Sequence, residues 1–202
     1  MEVILMELDY ELLNQLLKEV TAFNDIALSD IPDIDLYMDQ VTTLFDKKLY
    51  PLKRTKDDKI MTKTMINNYA KAKIFPPVKS KKYNKEQIIL LELIYNLKQN
   101  LTLTDIDRVF TPIIDDSKKE EKDLASIENL YDNFLTLKKD QSEAFETRFI
   151  QLRKDINEKS KELEGKNKDL NELILMVFML ISGANAQKRM AEKIIDNFFT
   201  KG

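Results

Sequence analysis

The sequence predicts an all-α protein with at most a small β-wing, on three observations. Only 3 Gly and 5 Pro interrupt 202 residues, so turns are few and elements long. Apolar residues recur at steps of three and four, the repeat of an amphipathic helix, not the period of two of a strand. Charged residues make up 33% against 43% apolar, as helices with one buried stripe and one solvated face require. The length suits one domain or two small ones.

Each element follows from the same spacing. Leu8, Leu12, Leu13, Leu16, Leu17, Val20 and Phe23 mark a helix over 8–24 with an acidic outer face. Residues 25–35 form a turn-rich link, because Pro32 opposes helix. Asp35 is placed to cap a helix over 36–49 that buries Leu36, Met38, Val41, Leu44, Phe45 and Leu49. Tyr50-Pro51 stops it. After a basic connector, Thr62 caps a short helix at 63–72, with Met65, Ile66 and Tyr69 inward. Residues 73–84 carry Pro76 and Pro77 and read as a basic β-ribbon or loop. Asn84 with Gln87 opens a helix at 85–99, for which Asn100 is a left-handed stop. Thr102 with Asp105 opens the next, ended by Pro112 and the exposed run at 115–123.

Two long helices complete the chain. Over 122–164 an apolar stripe runs through Ile127, Tyr131, Phe134, Phe145, Phe149, Leu152, Ile156 and Leu163, with one stutter at 145–149. Such a stripe needs a partner helix, and Gly165 is the stop before a last helix at 168–199. Its apolar run at 173–184 makes only about 18 Å of helix, so it reads as buried rather than membrane-spanning. Small residues at 182–186 allow a partner helix to approach closely. The organisation is an acidic helix (1–30), a central domain (31–112) and a helical hairpin (122–202).

Composition excludes much chemistry. With no His and no Cys there is no Ser-His or Cys-His pair, no disulfide and no zinc site on those ligands. No glycine-rich phosphate loop or calcium loop is present. The sequence therefore predicts no catalytic residues, no metal and no cofactor. Its acidic N-terminus is no signal peptide, and a cytoplasmic protein without membrane contact is expected.

Charge is unevenly placed. Residues 1–35 carry nine acids against Lys18, whereas residues 47–85 carry thirteen bases against Asp57 and Asp58. A basic segment inside an acidic protein suits a polyanion; the bland alternative is a solvated lysine-rich surface. The order within 36–106 is a supporting helix, a short polar helix, a Pro-bounded basic hairpin and two capped helices. That order describes a winged helix-turn-helix, whose second helix enters the DNA major groove.

The segment resembles the DNA-binding domain of MerR-type transcription regulators. Tyr69 matches the family's second tyrosine and Lys71 its basic residue, while Ile74 and Phe75 match the apolar pair before Pro-Pro. Lys81, Lys82 and Tyr83 are similar to the closing element of the wing, and Asn100 through Ile106 to the opening of the fourth helix. The stretch at 31–45, IPDIDLYMDQVTTLF, and most of the rest resemble a bacterial domain-of-unknown-function family that combines a MerR-like domain with a helical C-terminal half. The chain departs from the MerR pattern at Asn67, in place of arginine, at Lys73, in place of glycine, and in a wing without glycine.

The resemblance implies a homodimeric regulator of transcription that binds double-stranded DNA and pairs through 122–200. Asn67 and Asn68 offer the donor-acceptor pair that suits adenine, or simply solvate the helix. Thr62, Lys63, Thr64 and Lys71 suit phosphates or base edges. Tyr69 resembles a family phosphate contact and equally suits the core. Lys79, Lys81 and Lys82 on the wing would neutralise phosphates. The alternative is a protein-interaction module with a degenerate helix-turn-helix. In either case the acidic residues 1–35 are suited to mask the basic segment. No effector is specified by the residues.

Overall fold

The computed structural model describes residues 7–22, 24–78, 80–116, 119, 124–163 and 167–199. Among them are seven helices: α1 (Tyr10–Thr21), α2 (Met38–Lys48), α3 (Lys63–Lys71), α4 (Lys85–Leu97), α5 (Leu103–Asp116), α6 (Ile127–Ser160) and α7 (Lys168–Phe198). Two-residue strands, β1 (Leu36–Tyr37) and β2 (Lys82–Tyr83), pair antiparallel with Leu36 opposite Tyr83 and Tyr37 opposite Lys82. Single 3-10 turns occupy Leu28–Asp30 and Tyr50–Leu52. The protein is thus mostly helical with one small β element. It divides into two compact units, Asn24–Thr136 with Met190–Gly202, and Met1–Phe23 with Leu137–Arg189.

The first unit is built around α4. Gln87 through Glu92, Ile94 and Tyr95 are all buried, so this helix is covered on nearly every side. Val41, Phe45 and Leu49 at the α2 end, Ile66 and Tyr69 of α3, and Ile106 and Phe110 of α5 close around it. Each fully buried aliphatic side chain contributes roughly 1.5–3 kcal/mol. The start of α6 adds Tyr131, whose hydroxyl donates to the carbonyl of Ile26 at 2.6 Å. The caps expected for three helices are in place. Thr62 Oγ1 accepts from Met65 N–H, Asn84 and Gln87 exchange side-chain-to-backbone bonds at 2.9 and 3.0 Å, and Asp105 N–H donates to Thr102 Oγ1.

In the second unit, Leu8 and Leu17 pack with Phe149 and Ile156 of α6 and Met176 of α7, flanked by Leu173 and Leu180. Asp9 caps α1 through Glu11 and Leu12 N–H. The buried carboxylate of Glu172 accepts from Ser160 Oγ at 2.7 Å and Asn157 Nδ2 at 3.0 Å, while Leu8 N–H donates to Asp169 at 2.8 Å.

Several expectations need correction. Asp35 does not cap α2; the helix begins at Met38 with Tyr37 as its N-cap, because residues 36–37 are used in β1. The basic segment at 73–84 does not fold as a self-contained ribbon, since β2 pairs with β1. Asn100 does not take the left-handed conformation; Leu97 O accepts from Asn100 and Leu101 N–H instead. Pro112 lies inside α5, which runs four residues further, with Ile113 and Ile114 held against the core. The run at 173–184 is buried on one side only: Phe178 is 65% and Ile181 57% exposed, because only the Leu173-Met176-Leu180 side meets the unit's core. By length and composition α7 could cross a membrane. Gly165, Phe23 and most of 117–123 lie outside the described residues.

Candidate nucleic-acid interface

Helix α3 has nine residues and two unlike sides. Ile66 and Tyr69 point into the core, and Met65 is half-buried between them and Lys98. Lys63, Thr64, Asn67, Asn68 and Lys71 are exposed. At 100° per residue they fall on one arc of roughly 140°. That arc carries ammonium, hydroxyl and amide groups, with no carboxylate on the helix. Its chemistry is therefore that of an anion-binding and hydrogen-bonding face.

The loop before α3 is fixed by Asp58. Its carboxylate accepts from Thr55 Oγ1 at 2.7 Å, Thr55 N–H at 3.0 Å and Arg54 N–H at 2.9 Å. The bonds from Thr55 hold its carboxyl below the usual range. Between this loop, α2 and the start of α3 lies an open cleft of about 500 Å³, lined by Thr42, Thr43, Lys47, Lys59 and Lys63 among others. Lys47 and Lys59 were not singled out from sequence. Their signal was present in the density of bases at 47–85, but only the fold brings them to one cleft.

After α3 the chain turns sharply at Lys73, which has φ 61. This is the position after the helix C-cap, Ala72, where glycine is usual because a Cβ is strained. Ile74 and Phe75 are buried, and Phe75 packs on Tyr83 with ring centroids 6.0 Å apart. Gln87 Nε2 donates to Pro77 O at 3.3 Å and so ties the double-proline segment to α4. Ser80 and Lys81 have φ 52 and 60, the paired positive φ of a tight turn. They deliver the chain into β2, where Lys82 Nζ lies 5.2 Å from the ring centroid of Tyr37.

Of the ten residues expected at a DNA surface, seven belong to α3 or its N-cap, two to the turn and strand at 81–82, and one lies outside the described residues. Lys63, Thr64, Asn67, Asn68 and Lys71 share the α3 arc, and Lys81 is exposed at the turn before β2. Thr62 is half-buried and its hydroxyl caps α3; Lys82 is half-buried along Tyr37. Tyr69 is corrected. It is 4% exposed, and burial pushes its hydroxyl pKa up, so its ring is part of the core. Lys79 lies outside the described residues.

The surrounding charges are partly compensated. Lys63 pairs with Asp39 of α2, Lys48 with Asp30 at 2.5 Å, Lys53 with Asp46 at 2.7 Å, and Lys85 with Asp33 and Glu128 at 3.5 and 3.4 Å. No ion pair among the described residues takes up Lys47, Lys59, Lys71, Lys73 or Lys81. The net field of this face is therefore positive. Among the described residues no group of three His, Cys, Asp or Glu side chains is set to hold a metal ion.

A family model described as a domain of unknown function (DUF1836) matches residues 26–134. No curated protein matches the chain, and no solved structure does. The matched stretch is more than half of the chain and runs from the link before β1, through the α3 face and β2, to the first turns of α6. The chain is accordingly a member of the DUF1836 family.

Proposed function

We propose that this protein is a sequence-specific DNA-binding regulator of transcription, of MerR-like type, acting as a homodimer in the cytoplasm. The observation that carries the reading is the α3 arc: five polar or basic side chains exposed on one side of a helix whose other side is anchored in the core. A helix so held can enter a major groove without losing its packing. Asn67 and Asn68 then have the donor and acceptor pair that suits adenine, and Lys63 and Lys71 flank them for phosphates. The turn before β2 adds Lys81, and Lys47 and Lys59 line the cleft at the start of α3 together with Lys63.

Backbone geometry gives independent support. The MerR-type helix carries a glycine where this chain has Lys73, and Lys73 keeps the positive φ that a glycine serves there. The strand before α2 pairs with the strand that follows the turn, the arrangement a winged module needs to hold its wing against the first helix.

Selection from a random duplex pool at physiological salt tests the reading. Enrichment of an inverted repeat is the expected result. The double variant Lys71→Glu, Lys81→Glu is expected to lose most affinity. It is also expected to flatten the dependence of log affinity on log salt by about 1 for each phosphate the protein no longer neutralises. Binding that enriches no motif, or that ignores both substitutions, overturns the reading. The second reading, a protein-interaction module, is favoured by the exposed apolar side of α7.

A further inference from the structure

Helix α7 carries a second apolar stripe, separate from the one packed in its unit. Leu173, Met176 and Leu180 take the inner side. Leu170, Ile174, Val177, Ile181, Ala184 and Lys188 follow one another at steps of 4, 3, 4, 3 and 4, and all are exposed. Val177 is 58% exposed. A repeat of 3.5 residues is the signature of a seam between two helices, because it keeps the same side facing a partner around which the helix supercoils. Nothing in the unit's own core requires this second seam.

The order of residues identifies the partner. We infer that α7 pairs antiparallel with α7 of a second copy of this chain, about a two-fold axis at Met179. In that register Val177 meets the partner copy's Ile181, Ile174 meets Ala184, and Leu170 meets the aliphatic stem of Lys188. Each layer thus brings apolar surface together, and the charged end of the seam falls at its rim. Beside the seam run Asn171, Phe178 and Asn185, seven residues apart. Read in either direction this row is amide, aromatic, amide. Antiparallel pairing sets Phe178 against its own copy and Asn171 against Asn185, so each polar group finds a hydrogen-bonding partner. A foreign helix would match such a palindrome only by accident, whereas a second copy matches it by symmetry. Gly183, next to the seam, adjoins open space: a Cβ there would meet nothing within 4 Å.

A membrane is the less suitable occupant. The charge-free stretch between Glu172 and Lys188 holds 15 residues, about 22 Å of helix against a hydrocarbon core of roughly 30 Å. Asn185 and Gln187 lie within it.

The inference deepens the dimer half of the proposed function, but its test reads mass and proximity rather than DNA. Sedimentation of the full chain is expected to give a dimer, and Val177→Glu a monomer of unchanged helicity, with association weakened by roughly 30-fold or more. The chain has no Cys, so single cysteines report orientation cleanly. With a short bismaleimide, Phe178→Cys is expected to cross-link to itself, and Asn171→Cys to cross-link to Asn185→Cys but not to itself. A monomeric wild type, a dimer indifferent to Val177→Glu, or an Asn171→Cys self-cross-link overturns the inference. So does monomeric protein that instead partitions onto phosphatidylcholine vesicles. If the dimer fails while the duplex selection still yields a motif, only this inference falls.

Discussion

Lys73 and Tyr131 are the two residues at which local physics is most exposed to test. Lys73 holds φ 61 at the end of α3, a conformation that strains any residue with a Cβ. Lys73→Gly is expected to raise stability by about 0.5–1 kcal/mol in urea unfolding, with α3 otherwise unchanged. The same substitution in a helix interior would destabilise, so the sign tests the geometry. Tyr131 buries its ring and donates to Ile26 O at 2.6 Å. Tyr131→Phe leaves that carbonyl without its donor, at an expected loss of about 1–3 kcal/mol. Neither role was legible in the sequence. Lys73 reads as one more base in a basic run, and Tyr131 as one more position in a helical stripe. A left-handed backbone and a hydrogen bond spanning 105 residues are products of the completed fold.

At the scale of elements, the periodic signals were legible and the boundary signals only in part. The caps at Thr62, Asn84 and Thr102 were readable because each satisfies a backbone group of its own first turn. Thr62→Ala is expected to lower stability by about 1 kcal/mol, seen as an earlier urea midpoint. Asp35 and Pro112 misled for one reason. Residues 36–37 are committed to a strand by a partner at 82–83, and the end of α5 is held in place by packing of Ile113 and Ile114. Tertiary contacts override local preference at both places. The exposed side of α7 misled differently: an apolar run shows that a face will be covered, but not whether this chain or another covers it. For α3, spacing alone separates the exposed Asn67 and Asn68 from the buried Ile66. Tyr69 was ambiguous because a tyrosine suits a core and a rim equally well.

At the scale of the whole molecule, titration offers a test. Tyr69, Tyr83, Tyr95 and Tyr131 all have hydroxyl pKa values raised, burial being the largest cause in each. A group whose folded pKa lies above its unfolded value favours the folded state while pH stays below the unfolded pKa. That contribution is lost as pH climbs beyond about 10. The protein is therefore expected to unfold on the alkaline side, with loss of helicity and tyrosinate absorbance rising together. More tyrosinate in a still-folded protein than the exposed Tyr10, Tyr37 and Tyr50 can supply would contradict the burial. His is absent, so no imidazole titration contributes to stability between about pH 5 and 8.

The two units are nested in the chain, and this bears on the order in which they can be completed. The unit that holds the α3 face takes residues 24–136 and then, after an interval of 53 residues assigned to the other unit, the stretch from Met190 on. That late stretch brings Asp196, which accepts from Arg108 at 2.9 Å, and Ile195, which is buried. On a ribosome, the α3 face emerges and packs first, yet its unit stays incomplete until the whole of the other has been made. A fragment cut at the family boundary, residue 134, would lack the Arg108 clasp and is expected to melt earlier than the full chain. The last part of α7 thus completes the unit begun by residues 24–136 only after the 53 intervening residues of its neighbour have been made.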